Sequence, residues 1–311
     1  MNQKKISIVT PCFNEEGNVD AVYEAVKTVF AGLPDYTYEH LFIDNCSKDR
    51  TPELLRAIAA KDRNVKVIFN TRNFGHIRSP FYGLLQATGD AVILLVADLQ
   101  DPPTMIADFL REWRKGFKVV LGVKTSSEEA SLMFFIRKTY YDFVTRVSDT
   151  ELTKNNTGFG LYDREVIEHL RKIGDSYPYF RGLISELGYP AAQIEYRQPA
   201  RTRGVTSNNF YRLYDMAMLG ITSHSKVPLR VATMLGFGMS LVGFFMAFLY
   251  LVAKLVFWNQ FQLGLAPLLI GIFLFAAVQL FFIGILGEYI GAIHTQLLKR
   301  PLVIERERIG F

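Results

Sequence analysis

Two carboxylates and an amide crowd the segment Val96-Ala97-Asp98-Leu99-Gln100-Asp101-Pro102-Pro103. Read as an extended strand end, it points Asp98 and Gln100 the same way, because side chains alternate along a strand. Both are oxygen donors suited to Mg²⁺ or Mn²⁺. Mg²⁺ is commonly held by one or two carboxylates together with substrate phosphates. Asp101 has a second use, as a cap for the helix that Pro102 and Pro103 open. No His and Cys cluster has zinc spacing.

Similar polar clusters occur at 11–15, 44–47 and 70–76, each after a short apolar run. Those runs, at 6–10, 41–43 and 65–69, read as strands, as do 91–97 and 119–121. The run at 91–97 is nearly all apolar, as a strand covered on both faces should be. Helical spacing fills the gaps. Asn14 or Glu15 opens a helix carrying Val19, Val22, Ala25, Val26 and Val29. Ser47 or Thr51, with Pro52, opens another through Ala60; further helices are expected at 77–87 and 102–115. Strand and helix in alternation mean an open parallel α/β sheet, whose ligands bind beyond the carboxyl ends of the strands. All four polar clusters fall there. No G-x-G-x-x-G follows the first strand and no G-x-x-x-x-G-K-[ST] is present, which argues against a dinucleotide or P-loop site.

The last third is different. Residues 231–253 and 261–287 are uncharged and rich in Gly, Ala and Ser. A helix over 231–253 reaches about 35 Å, enough for a hydrocarbon core of about 30 Å. The short link at 254–260 makes the pair a hairpin with both ends on one side. Arg212, Lys226 and Arg230 precede it; Lys299, Arg300, Arg306 and Arg308 follow. The positive-inside rule places these flanks, and the N-terminal domain, in the cytoplasm, with Tyr250 and Trp258 at the far interface. The polar 1–5 segment and the stop at Pro11 do not fit a signal peptide. Phe210, Leu213, Tyr214, Ala217, Met218 and Ile221 lie at helical spacing within 207–225 and read as a helix in the membrane surface. The expected organisation is a cytoplasmic α/β domain over 1–200, a flexible loop and interfacial helix over 201–228, two transmembrane helices within 229–291, and a basic tail over 292–311.

Half of the 311 residues are hydrophobic and 21% are charged, which excludes a disordered chain. Two cysteines exclude a disulfide framework; Cys12 and Cys46 read as small buried residues at two strand ends. The basic residues that give a net charge of +5 gather beside the membrane segments, which argues against nucleic acid as a partner.

The chain resembles family 2 glycosyltransferases of the GT-A fold, and within them the polyprenyl-phosphate group: dolichol-phosphate mannose synthases and bacterial undecaprenyl-phosphate (bactoprenol) sugar transferases. The resemblance rests on Ile8-Val9-Thr10-Pro11-Cys12-Phe13-Asn14-Glu15-Glu16, Phe42-Ile43-Asp44-Asn45-Cys46-Ser47, Thr71-Arg72-Asn73-Phe74-Gly75-His76 and Asp98-Leu99-Gln100-Asp101-Pro102-Pro103, with Arg181-Gly182-Leu183, Pro228-Leu229-Arg230 and Gly287-Glu288-Tyr289-Ile290-Gly291 further on. It implies a Rossmann-like, mainly parallel sheet domain carrying interfacial helices and the two-helix hairpin. It places Pro11, Phe13, Glu15, Asp44, Asn45, Arg72 and Ala97 on the nucleotide-sugar, and Asp98 and Gln100 on a Mg²⁺ or Mn²⁺ ion at its diphosphate. Arg137, with the mobile loop carrying Arg201 and Arg203, would meet the acceptor phosphate, Lys124 being a further cation there. The resemblance also implies a homo-oligomer, a tetramer among the options.

Three departures bear on chemistry. The family commonly has Asp-x-Asp where this chain has Val96-Ala97-Asp98, so one metal carboxylate is absent. It commonly has Gly-Asp-Phe-Arg where this chain has Thr157-Gly158-Phe159-Gly160, so the carboxylate often taken as the base is absent too. Asn45-Cys46 stands where Asp-Gly is usual. A lipid phosphate, with a second pKa of about 6, is already largely dianionic at neutral pH and needs no proton removed. A sugar hydroxyl would need a base. The missing base therefore suits a phosphate acceptor. The expectation is an inner-membrane enzyme that moves one sugar from a nucleotide diphosphate to polyprenyl phosphate with inversion, using Asp98, Arg137 and Arg203. A transferase acting on a saccharide or protein hydroxyl, and an inactive membrane scaffold, are the rivals.

Overall fold

The computed structural model describes residues 3–125, 156–198, 218–220, 222, 225–257 and 265–311. Eight strands form one mixed sheet in the order β7-β5-β6-β4-β1-β2-β3-β8. Its parallel centre is β1 (Lys4–Cys12), β2 (Tyr36–Asp44), β3 (Val65–Asn70) and β4 (Ala91–Leu94). β5 (Val119–Lys124) and β7 (Ala191–Tyr196) run parallel to each other, and β6 (Asn156–Asp163) runs antiparallel to β4 and β5.

Apolar spacing explains the helices. α1 (Val19–Ala31) buries Val19, Val22, Tyr23, Val26 and Phe30, one stripe of its surface. α2 (Thr51–Lys61) starts at Thr51 with Pro52 in its first turn and buries Leu55 and Ile58. These two, with α4 (Met105–Arg114), cover one face of the sheet over Ile6, Ile8, Phe42 and Phe69. α3 (Gly75–Gln86), α5 (Arg164–Ile173) and α6 (Phe180–Glu186) cover the other over Val9, Ile43, Ile68 and Tyr162. Burying each large apolar side chain contributes about 1.5–3 kcal/mol.

Several elements differ from the sequence reading: α1 begins at Val19 and not at Asn14 or Glu15, which lie in the loop after β1, and β2 starts at Tyr36, well before 41. The strand expected over 91–97 stops at Leu94, because the chain turns at 97–99 with Leu99 at φ 56°. The basic tail is not all tail. β8 (Glu305–Ile309) pairs antiparallel with β3 and closes the sheet edge. Arg56 meets Glu307 at 2.6 Å, and Tyr82 donates to Glu305 at 2.7 Å. Its Glu-Arg-Glu-Arg pattern reads as a solvated tail, yet charged side chains are what an exposed edge strand carries.

Helices α7 (Val227–Val256) and α8 (Leu265–Leu297) are long and apolar enough to cross a membrane, their most apolar 18-residue stretches having mean hydropathies of 2.1 and 2.4. Neither window buries any share of itself inside the chain. The base of the hairpin is pinned. Tyr289 donates to the Ser225 carbonyl at 2.7 Å, and Gln296 donates to Asp175 at 2.6 Å. Most of the expected interfacial helix, with Arg212 and Trp258, lies outside the described residues.

Candidate active site

The site is built on the carboxyl ends of β1, β2, β3 and β4. After β1, Asn14 takes the left-handed conformation at φ 57°. Its amide N–H donates to Ser47 Oγ at 2.9 Å, and its Oδ1 accepts from the Lys48 N–H at 2.8 Å. The Glu15 N–H donates to Thr51 Oγ1 at 2.8 Å, and the Arg50 N–H donates to Glu16 at 3.0 Å. The loops after β1 and β2 are thus laced together before any ligand arrives. Pro11 and Glu15 are half-buried at their base, whereas Phe13 is exposed. Cys12 is buried, and burial pushes its thiol well above the ordinary range. Both cysteines are free thiols.

Asp44 ends β2 fully buried, with the Ser47 N–H donating to it at 3.2 Å. Burial raises its pKa; hydrogen bonds from Ser47 and the charge of Arg306 oppose that rise. Arg306 comes from β8, which the sequence reading left out of the site. Asn45 has its amide fully engaged. Its Nδ2 donates to Asn73 Oδ1 at 2.9 Å and to the Gly75 carbonyl at 3.1 Å. Its Oδ1 accepts from Asn70 Nδ2 at 3.2 Å and the Phe74 N–H at 2.9 Å. A side-chain amide has two donors and two acceptor positions, and all four are filled. Asn45 therefore has no donor or acceptor position left over and fixes the 70–75 loop, where Arg72 stacks on Phe74 at 4.1 Å. Next to it Cys46 sits at φ 63°, a conformation that favours glycine.

The loop after β4 is held differently. Asp98 and Gln100 do not alternate along an extended strand: Leu99 is left-handed and the Gln100 N–H donates to Asp98 Oδ1 at 3.1 Å, a local turn. Nor does Asp101 cap a helix. α4 begins at Met105, and the Asp101 carboxylate, 3% exposed, accepts from the Tyr196 hydroxyl at 2.5 Å. Burial lifts Asp101 to about 6 against the Tyr196 hydrogen bond and the charge of Lys124. Burial and Asp101 push the Tyr196 phenol far up. Lys124, which donates to Gln198 at 2.6 Å, thus stands on the flank of the carboxylate loop. Ala97 is buried within that loop.

Among the described residues no group of three His, Cys, Asp or Glu side chains could hold a metal ion. Asp98 offers one carboxylate and Gln100 one amide oxygen, hard donors of the kind Mg²⁺ and Mn²⁺ take. Val96 offers none, so these residues alone leave most of such an ion's shell to waters or a ligand. On β6, Gly158 at φ 94° leaves the expected base position without a side chain. Arg137, Arg201 and Arg203 lie outside the described residues. Tyr196 and Arg306 are the residues the sequence reading missed. Neither carries a motif signal; only the pairing of β7 and β8 brings them to the loops.

A model of glycosyl transferase family 2 matches residues 7–171. The chain is 35% identical to the SfII prophage-derived bactoprenol glucosyl transferase of Shigella flexneri, over 96% of this chain and 97% of that protein. It is 34% identical to the prophage bactoprenol glucosyl transferase homolog of Escherichia coli K12, over 96% and 98%. Among solved structures, glucosyl-3-phosphoglycerate synthase of Mycobacterium tuberculosis, in complex with Mn²⁺, UDP and phosphoglyceric acid, shares the fold with a TM-score of 0.50 and 19% identity, over 70% of this chain and 76% of that one.

Proposed function

The chain belongs to glycosyl transferase family 2, and from that premise we propose that it moves one sugar from a nucleotide diphosphate to polyprenyl phosphate, with inversion at the anomeric carbon. The observation that carries this reading is the match to bactoprenol glucosyl transferases along nearly the whole chain, hairpin included. A lipid acceptor explains why a sugar-transfer domain is joined to two helices of membrane length.

On this reading the base and ribose lie against Pro11, Phe13, Glu15 and Asp44. Arg72, positioned by Asn45, faces the donor from the next loop, and Ala97 lines it beside the diphosphate. Asp98 and Gln100 hold the divalent ion. When bound, that ion neutralises charge growing on the leaving diphosphate. A phosphate oxygen of the acceptor attacks the anomeric carbon. The bond from that carbon to the diphosphate oxygen breaks, and its electron pair stays with the nucleotide. No proton moves, which fits the absence of a carboxylate at Gly158. Lys124, Arg137, Arg201 and Arg203 steady the acceptor phosphate. The hairpin crosses the bacterial inner membrane, the α/β domain faces the cytoplasm, and the chain works as a homo-oligomer.

The test is to incubate the purified protein with undecaprenyl phosphate and UDP-, GDP- and TDP-sugars, with Mg²⁺ or Mn²⁺ and with EDTA, and to look for the lipid phosphosugar by mass spectrometry. A metal-dependent product from one donor supports the reading. Transfer to a soluble hydroxyl acceptor without lipid overturns it.

A further inference from the structure

Three arginines lie near one another where the chain leaves α8 and returns to the sheet at β8. Arg78 lies in the first turn of α3, half-buried, and one of its Nη atoms donates to the Pro301 carbonyl. Its Nε is buried without an acceptor. Arg72 and Arg78 share one aromatic ring, their guanidinium carbons 4.1 and 5.6 Å from the centre of Phe74. Arg300 immediately precedes Pro301 and is exposed.

This arrangement is unfavourable as it stands. Burial, then the charges of Arg72 and Arg300, pull Arg78 below its ordinary range; the group acting the other way is the Tyr177 phenol, and no Asp or Glu enters that balance. A cation in the first turn of a helix also opposes the helix dipole. An anion placed beside Arg78 and Arg300 relieves both costs. Arginine is suited to the task, since its planar fork matches phosphate oxygens.

The location says which anion. Beside Tyr177, Ser176 donates to Gln296 near the end of α8 at 3.2 Å. Tyr177 also joins Ile77, Tyr179 and Leu219 in a small apolar cluster. A cluster of cations with an apolar flank, at the foot of a membrane-length helix, fits a lipid headgroup and the start of its chain. We propose that Arg78 and Arg300, on the side of Phe74 away from the donor-facing Arg72, form a site for the phosphate group of a membrane lipid. The inference rests on the membrane glycosyltransferase reading above and adds a second phosphate site to it. Arg72 follows β3 and Lys124 ends β5, five strand positions away in the sheet. At about 4.8 Å per strand, that is about 24 Å. A phosphate here is far from the Lys124 side of the donor. It anchors the sheet domain at the bilayer instead of attacking the sugar.

The experiment uses the full chain in nonionic detergent. It is titrated with phosphatidylglycerol, with undecaprenyl phosphate, or with monoglucosyl diacylglycerol as a phosphate-free control, and bound lipid per chain is read by native mass spectrometry. Of phosphatidylglycerol, or of undecaprenyl phosphate beyond the one molecule per chain that the acceptor site takes, the wild type should retain at least tenfold more than R78A and R300A, with R78K close to the wild-type amount. Whichever phosphate lipid is retained at the lower concentration identifies the source. Equal retention by wild type and both alanine variants overturns the proposal, as does equal retention of the phosphate-free lipid. Should R78A not fold, the exposed Arg300 still decides. Lipid-phosphosugar synthesis measured on the same wild-type samples separates the two readings. Synthesis without arginine-dependent retention sinks only this inference, and retention without synthesis sinks only the functional reading.

Discussion

The loops after β1, β2 and β3 and the loop after β4 meet at one site, but they are held in different ways. The first three are tied to each other by side chain to backbone bonds from Asn14, Glu16, Ser47 and Thr51, with the saturated Asn45 amide at their centre. The fourth shows, among the described residues, a local turn at Asp98 and a buried tether, Asp101 to Tyr196. The half proposed to take the nucleoside is therefore organised by many modest bonds, whereas the half proposed to take the diphosphate turns on the Asp98 loop and the Asp101 tether. Damage should spread in the first half and concentrate in the second.

The largest effect should come from the sparse half. Asp98→Ala removes the carboxylate of the metal pair, and turnover should fall at least about 10³-fold, the several kcal/mol a Lewis acid contributes. Steady-state transfer at saturating Mn²⁺ checks this, with nucleotide binding by calorimetry alongside; an active variant removes the metal role from Asp98.

In the dense half, Asn45→Ala strips partners from Asn70, Asn73, Gly75 and the Phe74 N–H at once. Unfolding stability should fall by about 3 kcal/mol and donor KM should rise. Asn45→Asp should be milder, because it keeps both acceptor bonds and, protonated in this buried position, can donate one O–H bond to Asn73 Oδ1 or the Gly75 carbonyl. If the aspartate variant is as damaged as the alanine variant, the account of Asn45 as a four-way connector is wrong.

The floor beneath the dense half is acid-sensitive. Burial raises the Glu39 pKa, but hydrogen bonds from Lys5, Lys66, Ser7 and Thr88 outweigh it and bring it down to about 2. Its neighbour His40, donor or acceptor to Thr10 at 2.9 Å, is pushed down to about 3 by burial. Both folded pKa values lie below their unfolded ones. Both contributions are therefore complete above the unfolded pKa and are lost as pH falls, His40 from about 6.5 and Glu39 from about 4.5. Glu39 alone accounts for roughly 3 kcal/mol at neutral pH. Denaturation midpoints from pH 7 to pH 3 should fall steeply, and Glu39→Gln should start lower at pH 7 and show a shallower slope below pH 4.5.

Tyr196→Phe cuts the tether of the sparse half. It should lower kcat/KM about tenfold and stability by about 1–3 kcal/mol, the cost of leaving the buried Asp101 carboxylate without that bond. The smallest effect belongs to Cys46→Gly. Relief of left-handed strain, about 1–2 kcal/mol, less the backbone entropy of glycine, about 0.5–1 kcal/mol, leaves a gain of about 0.5 kcal/mol in denaturant melts.

The same contrast governs what the sequence reveals. The strands and helices through α4 are legible because apolar spacing and Pro52 mark them, and the polar clusters follow the strand ends. The hairpin is legible by length alone. The local turn at Leu99 is not, since it depends on a backbone conformation that no residue type there demands. Asp101 reads as a cap because Pro102 follows it; its partner Tyr196 is brought in by a strand far along the chain. β8 escapes notice because an edge strand needs no apolar alternation, and Arg306 reaches Asp44 only through that pairing.

The most direct test of the central claim is the product formed when the purified chain meets undecaprenyl phosphate and a panel of nucleotide-sugars. The account predicts one lipid phosphosugar, of inverted configuration, that requires a divalent ion and disappears in Asp98→Ala. A sugar transferred instead to a soluble hydroxyl, or no transfer from any donor by folded protein, would contradict it.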